Sequence, residues 1–149
     1  MRQVRRSALV PHTPAQMFAL VNDVASYPAF VPWCKGVRLI EQGPTSVTAR
    51  LEIARGGMHV ALTTRNTLTP DERIEMALTD GPFAHFRGDW RFVAIRDAGG
   101  VVQGCRVELT VEFRFRNPAL GLVAGHAFER SWDSLVDAFV RRARELYGG

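Results

Sequence analysis

Between Lys35 and Phe115 apolar residues recur at every second position. Val47, Ala49, Leu51 and Ile53 alternate with Thr48, Arg50 and Glu52, and Met58, Val60 and Leu62 share one face of the next segment. Ile74, Met76 and Leu78 alternate with Arg73, Glu75 and Ala77, and Phe86, Gly88, Trp90 and Phe92 oppose Arg87, Asp89, Arg91 and Val93. The longest alternation sets Cys105, Val107, Leu109, Val111, Phe113 and Phe115 against Arg106, Glu108, Thr110, Glu112, Arg114 and Arg116. A period of two predicts strands with one dry and one wet face. Gly43-Pro44, Gly56-Gly57, Pro70-Asp71 and Gly99-Gly100 supply turns with short connections, which favours an antiparallel meander.

On either side of this region the pattern changes. Val4 to Val10 reads as a first strand. Thr13-Pro14-Ala15-Gln16 then predicts a helix start, with Thr13 as cap, Pro14 at the first position and Gln16 reaching back. That helix buries Met17, Leu20 and Val21 and ends near Asn22. A short second helix is expected over Val24 to Tyr27, since Pro28 and Pro32 forbid a long one. After Phe115, Asn117-Pro118 opens a long helix in which Phe128, Trp132, Leu135, Phe139 and Leu146 recur at helical spacing, joined by Val136, Ala143 and Tyr147. Gly121 and Gly125 predict a weak, kinked start. Arg141, Arg142 and Arg144 complement the dipole in the last turns, and Gly148 stops the helix. The resulting expectation is an α+β fold. A curved antiparallel sheet of about seven strands wraps a long C-terminal helix, with two short helices after the first strand, over residues 1–149 as one domain.

Composition narrows the function classes. A chain of 149 residues, 46% hydrophobic, buries about 70% of its extended surface and has no need of disorder. The longest apolar run, Met17 to Val21, falls far short of the ~20 residues of a membrane span. Arg2, Arg5 and Arg6 imitate the basic start of a secretory signal, but Pro11-His12 cuts Ala8-Leu9-Val10 short, so a cytoplasmic location is expected. Cys34 and Cys105 lack metal-ligand spacing and read as small apolar residues or free thiols. The net charge is +4, and every basic residue except Lys35 is arginine. That balance admits RNA or an anionic bilayer as partner.

The chemistry of catalysis is sparse. His12, His59, His85 and His126 are dispersed, with no metal-binding spacing, and neither a serine elbow nor a phosphate-cradling glycine loop occurs. The candidates for acid–base work are His85, Asp89, Arg65 and Glu75, of which Asp89 and Glu75 fall on the expected wet face.

Four segments carry a resemblance. Tyr27-Pro28-Ala29-Phe30-Val31-Pro32-Trp33-Cys34, Gly81-Pro82-Phe83, Gly88-Asp89-Trp90-Arg91-Phe92 and Asp137-Ala138-Phe139-Val140-Arg141-Arg142-Ala143 resemble the coenzyme Q-binding protein family. Its bacterial members are often named ribosome-association toxins and sit under a polyketide cyclase/dehydrase label. The element order likewise resembles the helix-grip fold of the START and birch-pollen-allergen superfamily.

The resemblance implies a hydrophobic tunnel for ubiquinone or a similar isoprenoid lipid; the sparse catalytic chemistry adds the expectation of no cofactor and no catalytic residue. Phe30, Val31, Trp33, Phe83, Phe86, Trp90, Phe92, Leu109, Val111, Phe113, Phe128, Trp132, Leu135, Val136 and Phe139 are the candidate lining. Bulky rings on a concave sheet are expected to resist close packing against one helix and to leave a hollow. Two isoprene units would contribute on the order of 6 kcal/mol there, before ordering costs. The Tyr27 to Cys34 segment is expected to form a lid or portal. Three functions stay open: a carrier of ubiquinone supporting respiration, with peripheral contact at the inner membrane; a protein that binds the large ribosomal subunit and blocks subunit joining; and a polyketide cyclase or dehydrase. Arg141, Arg142 and Arg144, with Arg114 and Arg116, are the candidate phosphate contacts; DNA is not an expected partner.

Overall fold

The meander forms as the alternation requires. In the computed structural model, which describes residues 1–148, the strands are β1 (Arg2–Val10), β2 (Cys34–Gln42), β3 (Ser46–Arg55), β4 (Met58–Thr69), β5 (Arg73–Asp80), β6 (Phe83–Arg96) and β7 (Val102–Phe115). The helices are α1 (Pro14–Asn22), α2 (Tyr27–Phe30) and α3 (Pro118–Tyr147). The seven strands form one sheet in the order β1-β7-β6-β5-β4-β3-β2, with every neighbouring pair antiparallel. Hairpins therefore connect β2 through β7 in sequence, and β1 returns along the outer edge of β7. One face of the sheet receives α3. The other meets water and carries ion pairs such as Arg73 with Asp89 at 2.9 Å.

The helix starts follow their capping residues. Thr13 Oγ1 accepts from the Gln16 amide at 3.1 Å while Gln16 Oε1 accepts from the Thr13 amide at 2.9 Å. Asn117 Oδ1 accepts from the Ala119 amide at 2.9 Å and starts α3. Phe128, Trp132, Leu135, Val136, Phe139 and Ala143 lie buried against the sheet. The long helix runs unbroken over 30 residues, through Gly121 and Gly125. Gly125 has a different purpose, because a Cβ there would meet Arg2 Nε at 2.7 Å. The glycine leaves room for the Arg2 guanidinium of β1 beside the helix. Arg6 reinforces the same contact, with its guanidinium donating to both carboxylate oxygens of Asp137 at 3.0 and 3.1 Å.

Three local expectations need correction. Val24–Ser26 is a 3₁₀ turn and the helical turn proper is Tyr27–Phe30, because Pro28 fits an N-terminal helical position. Leu146 and Tyr147 are 50% and 39% exposed, since α3 by then has run past the sheet. The segment Tyr27 to Cys34 is no external lid. Tyr27, Val31, Trp33 and Cys34 are buried in the main core, the Tyr27 hydroxyl donates to the Val21 carbonyl, and the Trp33 indole donates to Ser134 Oγ at 3.0 Å. Those bonds satisfy its polar atoms and fasten it to α1 and α3.

Candidate functional site

The space between α3 and the sheet is where the aromatic residues meet. Phe83, Phe86, Phe113, Phe128 and Trp132 form one cluster. Phe83 stacks on Phe115 at 4.7 Å between ring centres, and Phe113 meets Phe128 edge-on at 4.8 Å. A second cluster gathers Trp90, Phe92, Phe139 and Phe30 around Tyr27 and Phe18, with Trp90 and Phe139 edge-on at 5.3 Å. Trp33 bridges toward the first cluster through Trp132 at 6.0 Å. Leu109, Val111, Leu135 and Val136 fill the layer between strand and helix, and Val31 seals its margin. Every candidate lining residue is buried apart from Phe30, which is half-buried beneath the Arg142 guanidinium at 5.3 Å.

The hollow itself is small. The cavity enclosed there measures about 20 Å³, room for roughly one water molecule. Edge-to-face rings interlock, and α1 with the 3₁₀ turn inserts Met17, Val21 and Val24 into the concave face. Of the candidate lining residues, Trp90, Trp132 and Leu135 border the cavity; its other walls are Val24, Tyr27, Ala49, Leu51, Thr64, Asn66 and Met76.

Two of those walls are polar. The Thr64 hydroxyl donates to Asn66 Oδ1 at 2.9 Å, and both residues are buried. The indole N–H of Trp132 is sealed from solvent and finds no acceptor among the described residues. Buried donors are nearly always paired, so this N–H and the threonine–asparagine pair give the interior its polar character. A signal for the pair exists in the chain. Met58, Val60, Leu62, Thr64, Asn66 and Leu68 hold the same inward parity on β4, and two polar residues on a dry face mark a place where the core needs hydrogen bonds.

The acid–base candidates lie elsewhere. Asp89 is paired with Arg73 and Arg91, Glu75 with Arg73, and His85 faces Glu112 at 3.1 Å, all on the wet face of the sheet. Arg65 is exposed. None of them borders the interior cavity. Among the described residues no three His, Cys, Asp or Glu side chains gather as metal ligands. Both cysteines are free and buried, and burial pushes each thiol up to about 11, far from a nucleophile's range.

A larger depression lies on the surface, about 470 Å³, between α3 and the turn joining β3 to β4. Pro32, Trp33 and Ala54 line its apolar part, and Arg55, Asp137 and Arg141 its charged part. Asp137 is neutralised by Arg6, whereas neither Arg55 nor Arg141 is in an ion pair among the described residues. The candidate phosphate contacts therefore divide. Arg141, Arg142 and Arg144 occupy the C-terminal end of α3, while Arg114 and Arg116 lie beside its start. No helix among the described residues is long and apolar enough to cross a membrane.

Comparison with known proteins places this geometry among relatives. The family described as polyketide cyclase / dehydrase and lipid transport matches residues 10–140. The ribosome association toxin RatA of Vibrio cholerae is 43% identical over 99% of both chains. The persistence and stress-resistance toxin PasT of Escherichia coli is 40% identical over 99% of this chain and 90% of its own. A mitochondrial coenzyme Q-binding protein of Drosophila melanogaster is 26% identical over 99% of this chain and 60% of its own. Among solved structures, the Zhui aromatase/cyclase of Streptomyces superposes with a TM-score of 0.82 at 20% identity, covering 97% of this chain and 95% of that one. An 18 kDa protein of Caulobacter crescentus superposes at 0.71 with 29% identity over the whole of both chains.

Proposed function

The chain belongs to the polyketide cyclase/dehydrase and lipid transport family and is kin to its ribosome association toxins, and from that premise we propose that it acts by associating with the ribosome. The large subunit is the target in this reading, and hindrance of subunit joining the consequence. The observation that carries it is the groove in which Arg55 and Arg141 stand without carboxylate partners at the C-terminal end of α3. Arginine forks match phosphate oxygens, and a groove about 470 Å³ in size admits a strand of RNA backbone. Arg144, exposed in the following turn, extends the same positive surface. The interior supports the reading from the other side, since a space of about 20 Å³ is an order of magnitude below that of ordinary small-molecule sites.

Sucrose-gradient sedimentation with separated ribosomal subunits tests this. The protein is expected to travel with the large subunit at low salt and to lower the yield of joined ribosomes. Arg55→Glu with Arg141→Glu should release it. Protein that stays at the top of a low-salt gradient ends the reading.

A second reading keeps the interior as the site. It holds that ubiquinone or another isoprenoid enters between α3 and the sheet, with a carbonyl accepting from the Trp132 indole. The unpartnered N–H and the coenzyme Q-binding relative favour it. It requires α3 or the rings beneath it to move. Organic extraction of protein purified from its own host, followed by mass spectrometry, decides it: a stoichiometric isoprenoid restores the carrier, and its absence together with no uptake in vitro removes it.

A further inference from the structure

The outward stripe of α3 breaks its own pattern at the first turns. His126, Arg130, Arg141 and Arg144 are exposed along the helix, yet Leu122 and Val123 stand 86% and 83% exposed. Single exposed apolar residues are ordinary, but these two are adjacent and Leu122 continues into a larger apolar surface. Leu122 borders a groove of about 260 Å³ with Met1 and Phe115, flanked by Arg2 and Arg114. Met1 is itself 70% exposed. Arg114 and Arg116 are exposed and belong to no ion pair among the described residues, and the Arg116 guanidinium donates to the Gly81 carbonyl at 3.0 Å. The first turn of α3 holds no acidic residue. The partial positive charge of the helix start is thus unopposed and adds to that of the arginines. Glu129, the first carboxylate along the helix, is engaged by Arg2 at 3.6 Å.

We propose that this end of the molecule docks on an anionic lipid bilayer, with Leu122 and Val123 at the boundary of headgroups and acyl chains and Arg114 and Arg116 against lipid phosphates. Exposed aliphatic residues ringed by cations are what an interfacial surface requires. An RNA backbone would satisfy the arginines and leave Leu122 and Val123 against charged phosphate. A second copy of the chain would set arginines and helix starts of like charge face to face. The surface lies roughly 30 Å along α3 from Arg141 at 1.5 Å rise per residue, so it is separate from the ribosomal groove.

Vesicle co-sedimentation of the full chain tests the proposal, with phosphatidylcholine alone and with phosphatidylcholine mixed with phosphatidylglycerol. Binding to the mixed vesicles is expected to exceed that to neutral ones by about tenfold or more. Leu122→Asp with Val123→Asp should abolish it while leaving ribosome co-sedimentation and circular dichroism unchanged, since both side chains are exposed and pack against nothing in the core. Arg114→Gln with Arg116→Gln should weaken it about tenfold or more, at roughly fivefold for each arginine. Arg55→Glu with Arg141→Glu should lose the ribosome and keep the vesicles, which separates failure here from failure of the ribosomal reading. Equal binding to both vesicle types, binding to neither, or undiminished binding by the aspartate variant overturns the proposal.

Discussion

Thr64 and Asn66 owe their place in the core to each other. Each is a buried polar residue on a dry strand face, and one hydrogen bond of 2.9 Å joins them. Removing one partner leaves the other desolvated and unpaired, at about 1–3 kcal/mol, whereas replacing both by apolar groups of similar shape approaches neutrality. Thr64→Val is therefore expected to lower the urea midpoint, and Thr64→Val with Asn66→Leu to recover much of the loss. Equal losses that simply add would show the bond to be irrelevant. The thiols make a second prediction. Burial raises Cys34 and Cys105 from an ordinary value near 9 to about 11. The folded state then holds protons that the unfolded state releases, so their contribution to stability is complete below pH 9 and is lost as pH rises toward 11. Denaturation across that window should show a decline on the order of 1–2 kcal/mol per thiol, reduced in Cys34→Ala and Cys105→Ala proteins.

Elements are positioned by close approach as much as by apolar pattern. A Cβ at Gly104 would strike the Val10 carbonyl oxygen, which is backbone and cannot step aside. A Cβ at Gly125 would meet only the flexible end of Arg2. Gly104→Ala is accordingly expected to destabilise by about 2 kcal/mol or more, while Gly125→Ala stays within about 1 kcal/mol because improved helix propensity offsets the displaced arginine. Comparable urea midpoints for the two variants would refute this account of the β1–β7 edge.

The same level shows what the chain reveals in advance. The strands from Val47 to Phe115 and both capped helices were legible because their signals are local: a period of two, Thr13 with Gln16, and Asn117 before Pro118. The burial of Tyr27, Val31, Trp33 and Cys34 was not, because it depends on contacts with α1 and α3 that no local period encodes. The polar pair on β4 was available as Thr64 and Asn66 at inward parity, yet its significance appears only once Trp132 is brought opposite. The volume of the hollow, about 20 Å³, was not legible in the chain. Ten aromatic positions in the candidate lining suggest volume, but their mutual tilt, which decides whether they interlock or stand apart, is a property of the assembled core.

At the scale of the whole molecule, charge and shape are distributed along α3. Its middle is clamped to β1 by Arg6 on Asp133 and Asp137. One end carries Arg141 and Arg144 beside the Arg55 groove, and the other carries Leu122, Val123 and the arginines of β7. In the ribosomal reading recognition lies on the surface, and phosphate recognition has a signature that apolar binding lacks. The salt dependence of affinity for purified large ribosomal subunits measures it directly. The logarithm of the binding constant should fall linearly with the logarithm of salt, with a slope of roughly −2 to −3 for three arginine–phosphate contacts. Neutralising Arg55 or Arg141 singly should flatten that slope by about 1 each. Binding that ignores salt, or an unchanged slope in both variants, would contradict the account.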